Sequence, residues 1–490
     1  MKRLGIAVLI GVLSFGASLL VSESTSQIRL PLDQRAVLKT PLPIAQRANQ
    51  SPATSGGSGV PATYAAGAIV NVSSPTVTPT TTLPEAQAYV ALYPANPNNA
   101  VAVISDFSLR GGYNTTKFAV SYNNGAAGTW MENFVPLKYG MPTTSDGRIW
   151  EANSDPVVAI DNSGNVFISS LYFNVSNRAN GIYVALGKMV CMDLNITAAS
   201  TVPVTANPDP SASVENGKDW IAVDNSNNPS TSGNVYVSWT RFDGSANMIM
   251  ISRSTDHGQT WSNPVQVSDP WQNGGVQGSQ IAVGPAGEVY VAYEVFFAGN
   301  RRQHYLAKSV NGGATFTPST AITPPFNEIN FNSTYRKNSF PSLAVSPANG
   351  HVYVVYSDQP DANAGAEVEF IVSRDGGASF STPVTLNHPP DGNQFMPALA
   401  VNASGGIFLS WFDTRNNGQS SSAYDIYTTR SFDDGTSFTP STRVTPISID
   451  AGTASFIGDY MGIVAGGGYV HPVWSSGGLN NGYLQTATLY

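Results

Sequence analysis

The stretch QIAVGPAGEVYVAY, residues 280–293, reads as two short apolar strands joined by a turn. Ile281 to Val283 and Val289 to Tyr293 are β-branched and aromatic, and the Gly-Pro-Ala-Gly between them breaks any continuous element. The same succession recurs at Tyr89–Ile104, Pro156–Ser169, Trp220–Trp239, Ser342–Tyr356, Ala398–Trp411 and Met461–Trp474, which makes seven copies. Taking Ala91, Ala159, Ala222, Ala282, Ala344, Ala400 and Ile463 as equivalent, the steps are 68, 63, 60, 62, 56 and 63 residues. A repeat of that size holds two strongly patterned strands and two weaker ones, and such a sheet cannot bury both of its faces alone. Radial stacking of four-stranded blades solves the problem, and a small Ala suits the innermost strand, where blades crowd about an axis. The sequence therefore predicts an all-β propeller of about seven blades, with six as the alternative count.

Composition agrees. Charged residues are 11% of the chain, well under the roughly 25% of ordinary soluble domains. The 46 Gly and 33 Pro suit many tight turns and exclude a helical bundle. The net charge of −8, with no basic block longer than Arg301-Arg302 in the body of the chain, leaves no footprint for nucleic acid. Cys191 is the only cysteine, so no intrachain disulfide forms, and its expected role is that of a small apolar side chain. The five histidines are scattered without the spacing of a zinc site.

Lys2 and Arg3, the apolar run Leu4–Val21 and the small polar residues after it have the order of a secretory signal peptide, assigned to residues 1–24. Residues 25–65 are rich in Ser, Thr, Pro, Gln and Gly without a sustained period, and are expected to be a disordered spacer. The propeller is assigned to 66–490, in a protein secreted or held at the cell surface, monomeric, and without a membrane span once the signal is removed. The last repeat ends one strand short at Tyr490, so residues 66–73 are expected to supply the fourth strand and close the ring.

A second motif falls later in the repeats: Ser254-Thr-Asp-His-Gly-Gln-Thr-Trp261, with the same spacing at Ser309–Phe316, Ser373–Phe380 and Ser431–Phe438. Residues 121–130 give a copy with two inserted residues. The Asp or Asn is placed to accept from nearby backbone N–H groups while Gly takes positive φ, so the motif is a hairpin turn and its role is structural. This is the Asp-box, or BNR repeat, and with it the chain resembles the sialidase-like propellers.

Loops that enter the inner strands and loops that leave the second strands share one face of a propeller. That face gathers Asp155, Lys218, Asp219, Arg336, Lys337, Asp459 and Tyr460 before inner strands, and Asp106, Arg241, Asp243, Glu294, Asp358, Asp413 and Arg415 after second strands. In so weakly charged a chain this asymmetry marks the functional surface. Asp155, Asp219 and Asp459 are positioned either to hold Ca²⁺ at the channel mouth or to cap their own loops; no cofactor is otherwise required. The resemblance implies an arginine clamp for a sugar carboxylate at Arg241, Arg336 and Arg415. It also implies Tyr460 paired with Glu294 as nucleophile and Asp243 as acid/base. The chain departs from the family at the first blade, where Glu85-Ala-Gln-Ala-Tyr-Val-Ala-Leu holds no arginine. Two functions follow: a module binding an extracellular glycan or protein through the charged mouth, or a sialidase-type glycoside hydrolase.

Overall fold

The structure is a computed structural model. It describes residues 69–72, 85–106, 115–126, 129–135, 150–174, 177–190, 193–196, 200–209, 211, 213–244, 246–361, 364–386, 392–418, 422–452, 456–477 and 484–489. The assigned signal peptide and spacer, and Cys191, lie outside them. Seven antiparallel sheets follow one another along the chain, each with a path of four strands. Inner strands are Glu85–Leu92, Ala152–Ile160, Val214–Val223, Val276–Val283, Ser342–Val345, Gln394–Val401 and Gly462–Gly466 for blades 1 to 7. Each pairs with the strand that follows it in the chain, so every blade is a meander. Blade 7 is built from Gly462–Gly466, Tyr469–Ser475 and Leu484–Thr486, and Val70–Asn71 pairs antiparallel with the last of these.

The apolar cores lie between blades. Val101, Val103, Phe118 and Val120 of blade 1 pack with Val158, Ile160, Val166 and Ile168 of blade 2. Tyr353, Val355 and Phe370 of blade 5 meet Leu399, Leu409 and Trp411 of blade 6. Between blades 7 and 1 the contact is made by Val72, Ala88, Val90, Ala102, Val473 and Leu484. Each sheet thus buries its two faces against its two neighbours, which explains the near-continuous apolar runs of the inner and second strands.

The four full-length Ser-x-Asp/Asn-x-Gly turns share one set of hydrogen bonds. The Ser hydroxyl accepts the Gly N–H, at 2.8 Å for Gly258, 3.0 Å for Gly313, 2.7 Å for Gly377 and 3.0 Å for Gly435. The third residue accepts the backbone N–H of the seventh, at 2.9 Å for Thr260, 3.0 Å for Thr315, 2.9 Å for Ser379 and 2.9 Å for Ser437. Each turn also leans on the preceding blade. Phe438 of blade 6 lies edge-on to Phe370 of blade 5 at 5.0 Å, and Asp434 accepts from His351 of blade 5 at 2.8 Å. These turns join blades as well as strands.

Candidate functional site

The inner strands share a defect that positions the site. In blades 1, 2, 3, 4 and 6 the register with the second strand slips at one place, between Ala86 and Tyr89, Ser154 and Val157, Gly217 and Trp220, Gln277 and Gln280, and Phe395 and Ala398. Each slip contains one residue at positive φ, namely Gln87 at 63°, Asp155 at 56°, Lys218 at 56°, Gly278 at 71° and Met396 at 48°. All five stand four residues before the repeated Ala. A left-handed conformation at four non-glycine residues costs energy at each, and a recurring outlier of this kind marks a built feature of the fold.

The bulged side chains meet one another. Gln87 of blade 1 donates through Nε2 to Asp155 of blade 2. Lys218 of blade 3 sets its ammonium over the Tyr460 ring of blade 7 at 4.1 Å and near the Phe340 ring at 5.4 Å. Where blade 4 has Gly278, a Cβ would stand 2.2 Å from Phe340 Cδ1, so the Phe340 ring occupies the space a side chain would need. Asn338 of blade 5 donates to the Asp459 carbonyl at 2.9 Å and lies 3.6 Å from the sulfur of Met396. Arg336 makes a two-point pair with Asp459, Nε to Oδ1 at 2.9 Å and Nη2 to Oδ2 at 2.7 Å. Beside this cluster lies a small cavity, open to solvent, lined by Lys218, Trp220, Asn338, Phe340, Met396, Asp459 and Tyr460 among others.

Six of the residues singled out from sequence therefore share one electrostatic environment: Asp155, Lys218, Asp219, Arg336, Asp459 and Tyr460. Burial pushes the Asp219 carboxyl well up and also raises Asp155, while Lys218 offsets part of the effect. Lys218 is lowered, by burial first and by Arg336, against the pull of Asp459 and Asp155. Among the described residues its ammonium makes no hydrogen bond and no ion pair within 4.0 Å. Asp155 Oδ2 and Asp219 Oδ1 are likewise buried without a hydrogen-bond partner.

The trio Asp155, Asp219 and Asp459 does not fit Ca²⁺. Both oxygens of Asp459 are engaged by Arg336, Asp219 accepts from Ser169, and the cationic Lys218 lies among them. Among the described residues no three His, Cys, Asp or Glu side chains are disposed to hold a metal ion.

The remaining residues are placed elsewhere. Tyr460 donates its hydroxyl to the Pro156 carbonyl at 2.9 Å, and burial followed by the neighbouring carboxylates drives its pKa well up. Glu294 is fully buried in blade 4, where Arg302 approaches it at 3.3 Å and His304 at 3.4 Å. Tyr460 and Glu294 are thus not hydrogen-bonded to each other, the phenol hydroxyl being given to a backbone carbonyl instead. Arg241 pairs with Asp243 at 2.9 Å on the half-exposed rim of blade 3. Arg415 pairs with Asp413 at 2.7 Å and lies over the Tyr427 ring at 4.1 Å. Each of the three arginines has its own carboxylate, so none presents a free guanidinium fork.

Sequence reading passed over Gln87, Asn338 and Met396, as well as Trp220 as a wall of the cavity. The available signal was positional. The residue four before the repeated Ala is different in each of blades 1 to 6, and Pro follows it at Asp155, Phe340 and Met396.

No family model matches the chain, and no curated protein does. Among solved structures it is similar to a Hadza microbial sialidase at 16% identity and TM-score 0.45, over 76% of this chain and 73% of that one. It is similar to a Penicillium chrysogenum alpha-L-arabinanase complexed with arabinobiose at 13% identity and TM-score 0.47, over 71% and 94%. It is also similar to Trypanosoma rangeli sialidase at 12% identity and TM-score 0.41, over 86% and 57%.

Proposed function

We propose that this propeller is a binding module whose ligand enters the axial mouth and sets a negatively charged group against Lys218, and that the ligand is an acidic glycan. The observation that carries this reading is the Lys218 ammonium, which lines the cavity with no carboxylate within 4.0 Å among the described residues, Asp459 and Asp155 acting on it from further away. A buried cation of this kind is stabilised by an anion brought in from outside. Trp220, Phe340 and Tyr460 supply apolar walls for the C–H face of a sugar ring, and Asn338 supplies an amide for its hydroxyls. Binding is favoured over hydrolysis because Tyr460 gives its hydroxyl to the Pro156 carbonyl, Glu294 is engaged with Arg302 and His304, and burial keeps the phenol neutral. The order of residues 2–26 supports export, so the ligand would be met outside the cell.

The test is titration of the purified full chain with uronic-acid and sialic-acid oligosaccharides, beside Lys218→Met. Met is a fair replacement because Met396 holds the equivalent place in blade 6 at φ 48°. Saturable binding that falls at least about tenfold in Lys218→Met is expected, in line with the loss of one charge-assisted contact. Absence of binding in the wild-type chain would overturn the reading. Turnover of a fluorogenic sialoside that Tyr460→Phe abolishes would replace it with the hydrolase.

A further inference from the structure

Blade 1 holds a second buried charge cluster, and its chemistry is of another kind. Glu85 begins the inner strand, Asp106 ends the second strand Ala100–Asp106, and Lys117 lies in the third strand Thr115–Ser121. Glu85 stands opposite Asp106 in the register. Asp106 stands opposite Thr115, so Lys117, two residues further on, projects from the same face at the diagonal position. The three side chains are 2 to 3% exposed. Lys117 Nζ is 2.6 Å from Glu85 Oε1 and 2.9 Å from Asp106 Oδ2, and the Phe134 ring lies 5.4 Å from the ammonium. The second oxygen of Glu85 accepts the N–H of Leu484 in blade 7 at 2.9 Å, which fixes that carboxylate.

We propose that Lys117 and Asp106 condense to an intramolecular amide, with the Glu85 carboxylate relaying the proton. Three formal charges occupy a site from which water is excluded, and the condensation removes one cation and one anion from it. Amine and carboxyl are held at contact distance by paired strands, so the step is unimolecular and gains the large effective concentration of fixed neighbours.

The balance is simple. Glu85 takes a proton from the Lys117 ammonium, and the freed lone pair on Nζ forms the C–N bond to Asp106 Cγ. A C–O bond of the Asp106 carboxyl then breaks, and its electron pair leaves with the oxygen. That oxygen departs as water, carrying two of the three ammonium protons, one of them returned by Glu85. Nothing is oxidised or reduced, and Glu85 ends as the carboxylate it began. Burial disfavours the Lys117 ammonium, but Glu85 and Asp106 more than reverse this, so its pKa is raised. The proton therefore has to be handed to a neighbour, and Glu85 at 2.6 Å is placed to receive it.

A chain with a single cysteine has no disulfide to staple itself, and this amide would join the second and third strands of blade 1. The inference does not depend on what enters the axial cavity.

Mass spectrometry of a tryptic digest of the denatured full chain decides it. Cleavage falls at Arg110, between the two residues, and an amide at Lys117 blocks cleavage there. The expected product is peptide 48–110 joined to peptide 111–138 and lighter than their sum by one water. A free peptide 111–117 ending in unmodified Lys117 would overturn the proposal, and this reading uses the wild-type chain alone. Lys117→Arg and Glu85→Gln are both expected to give unlinked peptides. Linkage persisting in Glu85→Gln would overturn the relay.

Discussion

Arg336 and Asp459, 123 residues apart in sequence, are joined by two hydrogen bonds of 2.9 and 2.7 Å at the axial mouth, binding the approach to blade 5 to the approach to blade 7. Asp459 has a fully buried side chain, and its backbone carbonyl accepts from Asn338. The cost of losing the pair is therefore asymmetric. Arg336→Ala leaves a buried carboxylate uncompensated and is expected to cost roughly 3 kcal/mol, whereas the double variant Arg336→Ala/Asp459→Ala should recover part of that. Urea unfolding of Arg336→Ala, Asp459→Ala and the double variant checks this. A double variant less stable than the sum of the single substitutions would show that the pair is not what holds the two approaches together.

Gly278 is the one glycine among the five bulge positions, and φ of 71° together with Phe340 explains why. A methyl group there meets Phe340 Cδ1 at 2.2 Å, so Gly278→Ala has to displace the ring and also hold a left-handed backbone. A loss on the order of 2 kcal/mol is expected, measured as a lower urea midpoint. Because Phe340 lines the axial cavity, ligand affinity should fall in the same variant. Unchanged stability would mean that the ring has room to move.

The fold was legible because its causes are local. Alternating β-branched and aromatic residues, a Gly-rich turn and a fixed Ser-x-Asp-x-Gly spacing each act within about ten residues, and their recurrence supplied the blade count. The site was half legible. Sorting loops by face brought Asp155, Asp219, Arg336, Asp459 and Tyr460 together, because which face a loop occupies follows from strand order alone. The bulge was not legible, since a slip of one residue is decided by how seven inner strands fit round the axis. The arginines pair locally. Arg241 and Asp243 stand two apart in one strand and share a face, while Arg415 lies in the turn after the strand Ile407–Asp413 and folds back on Asp413.

Acid should weaken the protein through two buried histidines. Burial lowers His471 to about 4 and His304 to about 3, against an ordinary 6.5. The unfolded chain takes up protons near pH 6.5 while the fold refuses them, so this stability is fully present above 6.5 and is lost as pH falls towards 4. For His471 the amount is roughly 3 kcal/mol. The aspartates of the Ser-x-Asp-x-Gly turns add to the loss at lower pH. Asp433, held at about 2 by Ser437 and Ser431, contributes above the ordinary carboxylate value and ceases to contribute as pH approaches 2. A melting temperature that declines between pH 6.5 and 4, with a shallower slope in His471→Phe, is the expected result. A flat profile over that range would contradict it.

The seam between the first and last blades offers the final test. Val72 is buried with Ala88, Val90, Val473 and Leu484, and its N–H donates to the Leu484 carbonyl at 2.8 Å. Gln485 donates to the Asn71 side chain at 3.0 Å, and Glu85 receives the Leu484 N–H. Deleting residues 66–75 would expose the edge of Leu484–Thr486 and uncover part of the apolar contact between blades 7 and 1. This seam is made by segments from opposite ends of the described chain, so the loss falls on contacts that bring those ends together. The truncated chain is expected to lose its cooperative melting transition and to aggregate in size-exclusion chromatography, while Asn71→Ala, which removes one exposed hydrogen bond, should melt within a degree or two of the parent. A truncated chain that melts like the full one would mean that the pairing of Val70–Asn71 with blade 7 contributes little to holding the ring together.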